Sequence, residues 1–573
     1  MINSISKKEV VTILEDIGIL LDLRGDNPFK SRAYNRAARN IEAIDEDLHL
    51  LVERDALSSI EGIGKALDKK IRELITTGGM EYYEQLKASV PRGLTEMLNI
   101  QGLGPKKVST LNKILGIETM GELEYACMEN RLVELPGFGR KTQDKILSGI
   151  VHLKRYKERR LYAHIIEEAE GLLTLLKNNE MVISASLAGS VRRLCDTVKA
   201  IDLLVSTDNP SVIEKFFISL PHIDEIIDKH TNRIVVLLKS GTHACLHMVN
   251  PQHFPYALYT LTGNTTHRAV MTERANRLGI TMKEYGLSRG GTEVPCSSEA
   301  DIFSTIGMSY IPPELRENMG EIEAAENNEI PPLIKGSDIK GIFHIHSTDS
   351  DGSDTIERMA HYAKTLGMEY IGISDHSKSA YYAGGLSVDD IGRQHEVIDR
   401  LNDGEQIFHI FKGIESDILP DGSLDYDDNI LDGFDFVIAA VHSRFTMPED
   451  EMNSRIMKAL ENPYTTMLAH PTGRLLLARE AYPVDVKKII DHAAKTGKIC
   501  ELNANPHRLD LDWQSCKYAK DRGVKIAISP DAHNVDGLNH TEFGINIARK
   551  GWLSPSDCIN CLSLREVKQF LSR

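Results

Sequence analysis

Nine residues in the C-terminal part of the chain are of types that hold metal ions. They are His344 and His346 in a His-x-His pair, Asp351, His376, Glu415, His442, His470, and Asp531 and His533 in an Asp-x-His pair. Residues i and i+2 of a strand face the same side, so the imidazoles of His344 and His346 can chelate one ion. Mixed imidazole and carboxylate donors suit Zn²⁺, Mn²⁺ or Fe²⁺ better than Mg²⁺ alone. Two or three such ions held close together can polarise a phosphodiester, generate hydroxide and steady a leaving oxygen. A single histidine of this kind is ordinarily structural or exposed. Nine positions at the ends of successive apolar runs point instead to a multinuclear phosphoesterase.

The elements that must position these groups are visible as short apolar runs: GIFHIH, YIGISDH, FHIFKGIE, FVIAAVH, TMLAH, ICELN and KIAIS. Seven such strands alternating with helical segments predict a distorted β/α barrel over residues 337–573, with its chemistry at the C-terminal strand ends. Arg474 and His507 fall near strand ends and could touch phosphate, but read as surface residues. Upstream, residues 319–336 are acidic, contain Pro331-Pro332 and show little periodicity, so they read as a linker. SASLAGSV, KAIDLLVST and NRIVVLLKS predict an α+β region, and residues 1–155 read as short helices joined by glycine-containing turns.

Those N-terminal turns repeat. Ile60–Lys65, Ile100–Pro105 and Leu135–Arg140 share one pattern, apolar-x-Gly-apolar-Gly, each followed by a helix bearing Lys or Arg. Gly62 and Gly64, Gly102 and Gly104, and Gly137 and Gly139 would let each turn expose backbone N–H groups at a helix N-terminus. That arrangement grips a phosphate without reading sequence. A glycine-rich helix turn is the usual meaning of one copy, but three copies favour DNA-backbone binding. The charge agrees. Residues 1–160 hold 26 Lys+Arg against 24 Asp+Glu, whereas the remainder holds 41 against 59, so the overall −16 lies outside the hairpin region.

The three hairpins resemble helix-hairpin-helix motifs. With Gly25-Asp-Asn-Pro-Phe-Lys-Ser-Arg-Ala-Tyr34, the first resembles the N-terminal domain of family X DNA polymerases, which grips the 5′ side of a DNA gap. Lys70 falls at the position of the lysine that forms a Schiff base with an abasic sugar in some members; an exposed helix lysine is the favoured alternative. Leu187–Arg193 resembles the family's Gly-Ser loop that cradles a nucleoside triphosphate, which implies nucleotide contacts for Gly189, Ser190 and Arg193. The family then places three aspartates on two strands to hold two Mg²⁺ ions. Here only Asp202 of the triplet Ala200-Ile201-Asp202 matches, and Cys245 stands where the third carboxylate is expected. The thumb motif reads Thr260-Leu-Thr-Gly-Asn264, whereas Lys283-Glu-Tyr-Gly286 persists. His243 and His247 would lie about 13 Å apart on one strand, too far to share an ion. Cys245 and His247 are therefore read as ordinary strand residues, with a small metal site beside Asp202 as the alternative.

The nine C-terminal positions resemble the metal ligands of the PHP (polymerase and histidinol phosphatase) domain. The resemblance implies that His344, His346 and Asp531 share one ion with Glu415. It also implies that Glu415 bridges to a second ion on His442 and His470, and that Asp351, His376 and His533 hold a third. Taken whole, the chain is similar to bacterial family X DNA polymerases with a C-terminal PHP domain. That similarity implies a multidomain protein: an N-terminal lyase-like domain (1–85), helix-hairpin-helix fingers (86–155), a degenerate palm of nucleotidyltransferase fold (156–250), a thumb (251–318), the linker and the PHP domain. The expected function is DNA repair by a metal-dependent 3′–5′ exonuclease, with abasic-site cleavage in some family members. Mn²⁺ or Zn²⁺, or alternatively Fe²⁺, would occupy the PHP domain, and no working Mg²⁺ clamp is expected in the palm. A gap-filling polymerase with PHP proofreading is the alternative reading. A small-molecule phosphatase would leave the hairpins unexplained, and a non-catalytic scaffold would leave the nine ligands unexplained.

The expected partner is DNA with gaps, nicks or 3′ ends, bound by a monomer in the cytoplasm. No apolar run approaches the roughly 18 residues of a membrane span. The N-terminus carries acidic residues and lacks a long apolar stretch, so it does not read as a signal peptide, and eight scattered cysteines suit a reducing compartment.

Overall fold

The computed structural model describes residues 5–44, 46–100, 102–133, 135–154 and 159–572. The chain forms two compact units, Met1–Leu153 and Lys154–Arg573. The expected fingers–palm boundary at 155/156 lies outside the described residues.

The first unit is helical. Its leading helix, Lys7–Arg24, opens with a Ser6–Glu9 capping box and ends at Gly25, whose φ is 73°. Val10, Leu14, Ile17 and Leu21 recur at helical spacing and are buried. The three hairpin turns lead into helices Lys65–Thr77, Pro105–Leu115 and Gly139–Lys154. Gly62, Gly102 and Gly137 take φ of 84°, 92° and 86°, a region in which side-chain-bearing residues are strained. A Cβ added at Gly64, Gly102, Gly104, Gly137 or Gly139 would meet nothing within 4 Å, so these turns lie open to an approaching backbone.

In the second unit, helix Tyr162–Lys177 leads into a five-stranded palm sheet. Its strands are β1 (Ser184–Leu187), β2 (Ala200–Ser206), β3 (Ile223–His230), β4 (Arg233–Leu238) and β5 (His243–Val249), in the order β1-β2-β5-β4-β3. The β2–β5 pair is parallel and its neighbours are antiparallel. Helices Phe254–Thr262 and Thr265–Arg277 follow, with a small three-stranded sheet.

Residues 319–336 differ from the expected aperiodic linker. They contain helix Glu321–Asn327, and Ile322, Ala325 and Ile334 are buried. The reason is tertiary. The buried Glu321 carboxylate accepts from His267 Nδ1 at 2.6 Å and from the backbone N–H groups of Asn318 and Met319. Seven residues carry too little periodicity to announce such a helix.

The C-terminal sheet contains all seven expected strands: β6 (Gly341–Ile345), β7 (Tyr370–Ile373), β8 (His409–Asp417), β9 (Phe436–Ala440), β10 (Met467–Leu468), β11 (Ile499–Asn503) and β12 (Ile526–Ser529). They pair in parallel and in sequence order. A bridge between Ile345 and Ala532, with His346 N donating to Ala532 O at 2.9 Å, nearly closes the barrel. Apart from His409 and Lys412 of β8 the strand residues are buried, as parallel strands covered on both faces must be.

Candidate metal centre

The nearly closed barrel gathers all nine expected ligand residues at one mouth. His344 and Glu415 lie within β6 and β8. His346, His376, His442, His470, Asp531 and His533 follow the ends of their strands, and Asp351 lies in the turn after β6. Three of them hold unusual backbone. His344, His470 and Asp531 have φ of 62°, 25° and 51°. Such left-handed conformations cost on the order of 1–3 kcal/mol each and cluster where function demands a particular aim.

Glu415 is the hub. Its Oε1 lies 3.2 Å from His344 Nε2, 3.3 Å from His442 Nε2 and 3.0 Å from His470 Nε2, and its Oε2 lies 2.8 Å from His376 Nδ1. Asp531 Oδ1 lies 3.5 Å from His344 Nε2 and 3.2 Å from His346 Nε2. Asp351 reaches His376 Nε2 at 3.5 Å and His533 Nε2 at 3.3 Å. The implied grouping of His344, His346 and Asp531 is present as a compact cluster. His346 also joins Asp351, His376 and His533, and His376 also joins Glu415 and His442, so the clusters overlap more than the resemblance implied.

A ring of further groups aims these ligands. His344 Nδ1 donates to Glu501 Oε1 at 2.5 Å, and His442 Nδ1 donates to Asp417 Oδ1 at 2.6 Å. Glu501 Oε2 also accepts from His470 N at 2.7 Å. Asn503 Nδ2 donates to Asp531 Oδ2 at 3.0 Å. With Nδ1 so engaged, the Nε2 atoms of His344 and His442 turn inward, as in carboxylate–histidine–metal arrangements. The sequence reading missed Glu501, Asp417 and Asn503. A glutamate inside the apolar run ICELN was the available signal for Glu501, and same-face spacing from Glu415 was the signal for Asp417.

The donor set fits divalent cations. His344 Nε2, both ring nitrogens of His346 and His376, and Glu415 Oε2 are buried without a hydrogen bond, an arrangement that is costly unless an ion engages them. Without ions, charges balance internally. Burial pushes the Asp351, Glu415 and Asp531 carboxyls up, but the surrounding imidazoles outweigh it and hold all three well below the usual range. Burial likewise opposes protonation of His344, His376 and His442. The neighbouring carboxylates win, raising His344 and His376 well above the ordinary value and His442 to about 10. His346 goes the other way, to about 4, through burial and the charges of His533 and His376.

His507 is buried rather than a surface residue. Arg474 is partly buried and donates to the carbonyl oxygens of Arg508 and Leu509, which ties it to the loop after β11. The Cys558–Cys561 pair also belongs to the packing: burial raises both thiols, Cys561 to about 12.

The palm presents a different site. Asp202 and Cys245 are register partners across β2 and β5. Gly189 (φ 59°) lies so close that a Cβ there would sit 2.0 Å from Asp202 Oδ2. Burial raises Asp202 to about 6 despite Arg193 and Arg233. Burial also raises the Cys245 thiol and, with Arg233, lowers His247 to about 4. Ser190 is partly exposed within the short helix Gly189–Arg192. Arg193 is already engaged: its Nε donates to Glu317 Oε1 at 2.9 Å and its Nη1 to Thr262 O at 2.7 Å. Glu317 is also paired with Lys550 of the barrel domain. Asn264 caps the helix that follows it, accepting from His267 N at 2.7 Å.

In the helical unit, Lys70 is half-buried rather than a plain exposed lysine. Its amine donates to Tyr34 Oη at 2.7 Å and sits 3.1 Å from the Tyr82 ring centroid. Burial, helped by Lys30, lowers its pKa.

Four family models match this chain. Residues 5–80 match a helix-hairpin-helix domain, 94–150 a SAM-like helix-hairpin-helix tandem, 257–317 a DNA polymerase beta thumb and 343–505 a PHP domain. The hairpin and thumb matches indicate DNA binding, and PHP domains are metal-dependent. A relative from Bacillus subtilis, named DNA polymerase/3′-5′ exonuclease PolX, is 37% identical over 571 residues, covering 99% of both chains. A probable phosphatase from Thermoanaerobacter sp. is 27% identical over 245 residues, 40% of this chain and 92% of its own. Another, from Acetivibrio thermocellus, is 29% identical over 205 residues, 33% of this chain and 78% of its own. None of the described helices is long and apolar enough to cross a membrane.

Proposed function

This chain belongs to the PolX family of DNA polymerase/3′-5′ exonucleases, and we propose that its working centre is the barrel mouth, which hydrolyses DNA from 3′ ends, while its palm no longer extends primers. The observation that carries the reading is the contrast in ligands: nine converging donors at the barrel mouth against one carboxylate, Asp202, in the palm. Two or three ions of the Mn²⁺ or Zn²⁺ class, or Fe²⁺, held there would supply Lewis-acid polarisation of the phosphodiester and activation of water. The protein residues do the positioning. Glu415 ties four imidazoles together, and Glu501 and Asp417 fix the rings of His344 and His442. The open glycine turns supply sequence-independent grip on the DNA backbone, the reading that best explains three copies.

Replacing His344 and His346 together with Ala should abolish metal-dependent shortening of a 5′-labelled strand by the full-length protein. Undiminished shortening by that variant would sink the assignment. Hydrolysis of small phosphate esters with DNA left intact would favour a phosphatase reading instead, the activity printed for relatives of the C-terminal part.

For Lys70 the proposed role is Schiff-base formation with an abasic sugar, supported by its lowered pKa and its seat between Tyr34 and Tyr82. Borohydride should trap the full-length protein on abasic DNA, and Lys70→Ala should remove that adduct. An adduct of equal yield in Lys70→Ala would discard the role.

A further inference from the structure

Among the described residues, one group of metal-ligating side chains lies outside the barrel mouth. Asp202, Cys245 and His247 have ligand atoms that all lie within 4.8 Å of one another. The palm sheet creates this meeting. Asp202 and Cys245 are directly paired across β2 and β5, and His247, two residues after Cys245, emerges on the same face. Cys245 Sγ lies 3.2 Å from His247 Nε2. The corresponding edge of a tetrahedral zinc site, built from Zn–S and Zn–N bonds of ordinary length, is about 3.5 Å. A shift of a few tenths of an ångström would therefore admit an ion.

The donor chemistry is selective. One carboxylate, one thiolate and one imidazole neutralise a dication, and a thiolate prefers Zn²⁺ and its soft relatives to Mg²⁺. Burial raises the Cys245 thiol, and Arg233 Nε, donating to Sγ at 3.4 Å, offsets that only in part. The Arg233 side chain is 46% exposed and can swing away as an ion enters. Three protein ligands leave a fourth position. A cavity of about 310 Å³, lined by Arg233, His247, Thr260, Glu284 and Tyr285 among others, opens beside His247. Structural zinc sites are closed by four protein ligands, whereas sites that act on a ligand keep one position open.

We propose that the palm holds a single transition-metal ion of the zinc class on Asp202, Cys245 and His247, next to the cavity that His247 lines. The site stands where the family resemblance puts magnesium carboxylates, and it is independent of the barrel-mouth reading.

The test uses the full-length protein, stripped with chelator and reloaded with Co²⁺. The nine barrel-mouth residues include no cysteine, so a thiolate-to-cobalt charge-transfer band in the near ultraviolet reports a site of the proposed kind. The expected result is that band in the unaltered protein, its loss in Cys245→Ser, and one bound ion fewer per chain in both Cys245→Ser and His247→Ala. Saturation with Co²⁺ without the band would overturn the proposal, as would a band that persists in Cys245→Ser. Should Cys245→Ser fail to fold, the unaltered protein still decides. Zn²⁺ should protect Cys245 from alkylation, read by mass spectrometry, and equal modification with and without Zn²⁺ would overturn the site.

Discussion

The barrel mouth and the palm bury the same kind of group with opposite results. Asp351, Glu415 and Asp531 are buried among imidazoles, and their carboxyls are held well below the ordinary range. Asp202 is only partly buried, with two arginines to offset desolvation, and it rises to about 6. Burial is therefore not what makes a metal-binding carboxylate; the groups converging on it are. The mouth also has a supporting ring in Glu501, Asp417 and Asn503, whereas Asp202 faces a thiol where a second acid is expected. A two-magnesium carboxylate clamp works as a set, and with only Asp202 left of its acids the palm cannot serve as a weaker clamp of the same kind.

That contrast can be broken most sharply with pH. In the ion-free mouth His344, His376 and His442 hold protons well above the usual imidazole range, so ions must displace those protons to bind. Affinity should consequently rise with pH, by about tenfold per unit for each proton displaced, between roughly pH 6 and pH 8. Competition with a chelator measures this, and a pH-independent affinity would mean that the mouth is not a proton-blocked metal site. The next effect is smaller. Glu501→Gln and Asp417→Asn remove only the groups that orient His344 and His442. Each should lower metal affinity by roughly 10–100-fold and leave the fold intact. An unchanged affinity in both would show that the supporting ring does not distinguish the two sites.

The smallest effect belongs to the palm. A carboxyl whose folded pKa is raised contributes stability below the unfolded value near 4, and that stability is lost as pH rises through about 6. In chelator-treated protein, Asp202→Asn should therefore stabilise the fold near neutrality by about 1–2 kcal/mol, an estimate discounted for the partial exposure of Asp202. Denaturant unfolding at roughly pH 4 and pH 7 checks the sign, since the gain should appear only at the higher pH.

Much of this was legible in the sequence, for identifiable reasons. Parallel strands buried on both faces read as continuous apolar runs, so all seven barrel strands could be recognised, and a polar residue closing each run marked the mouth. What the sequence hid depends on distant partners. Glu321 makes its segment helical only through His267 and nearby N–H groups. His507 gave no local sign of burial. The meeting of Asp202 with Cys245 and His247 follows from the register of two strands some forty residues apart, which no local pattern specifies.

The most direct measurement places both sites on one substrate. DNA with a one-nucleotide gap and a 5′-labelled primer is incubated with Mn²⁺ and dNTPs, using the full-length protein and its His344→Ala/His346→Ala variant. The unaltered protein should shorten the primer. The variant should neither shorten nor extend it, because the palm lacks the carboxylates that hold Mg²⁺ or Mn²⁺ between primer and nucleotide. Extension by the variant would contradict the account of the palm, and continued shortening would contradict the account of the barrel mouth.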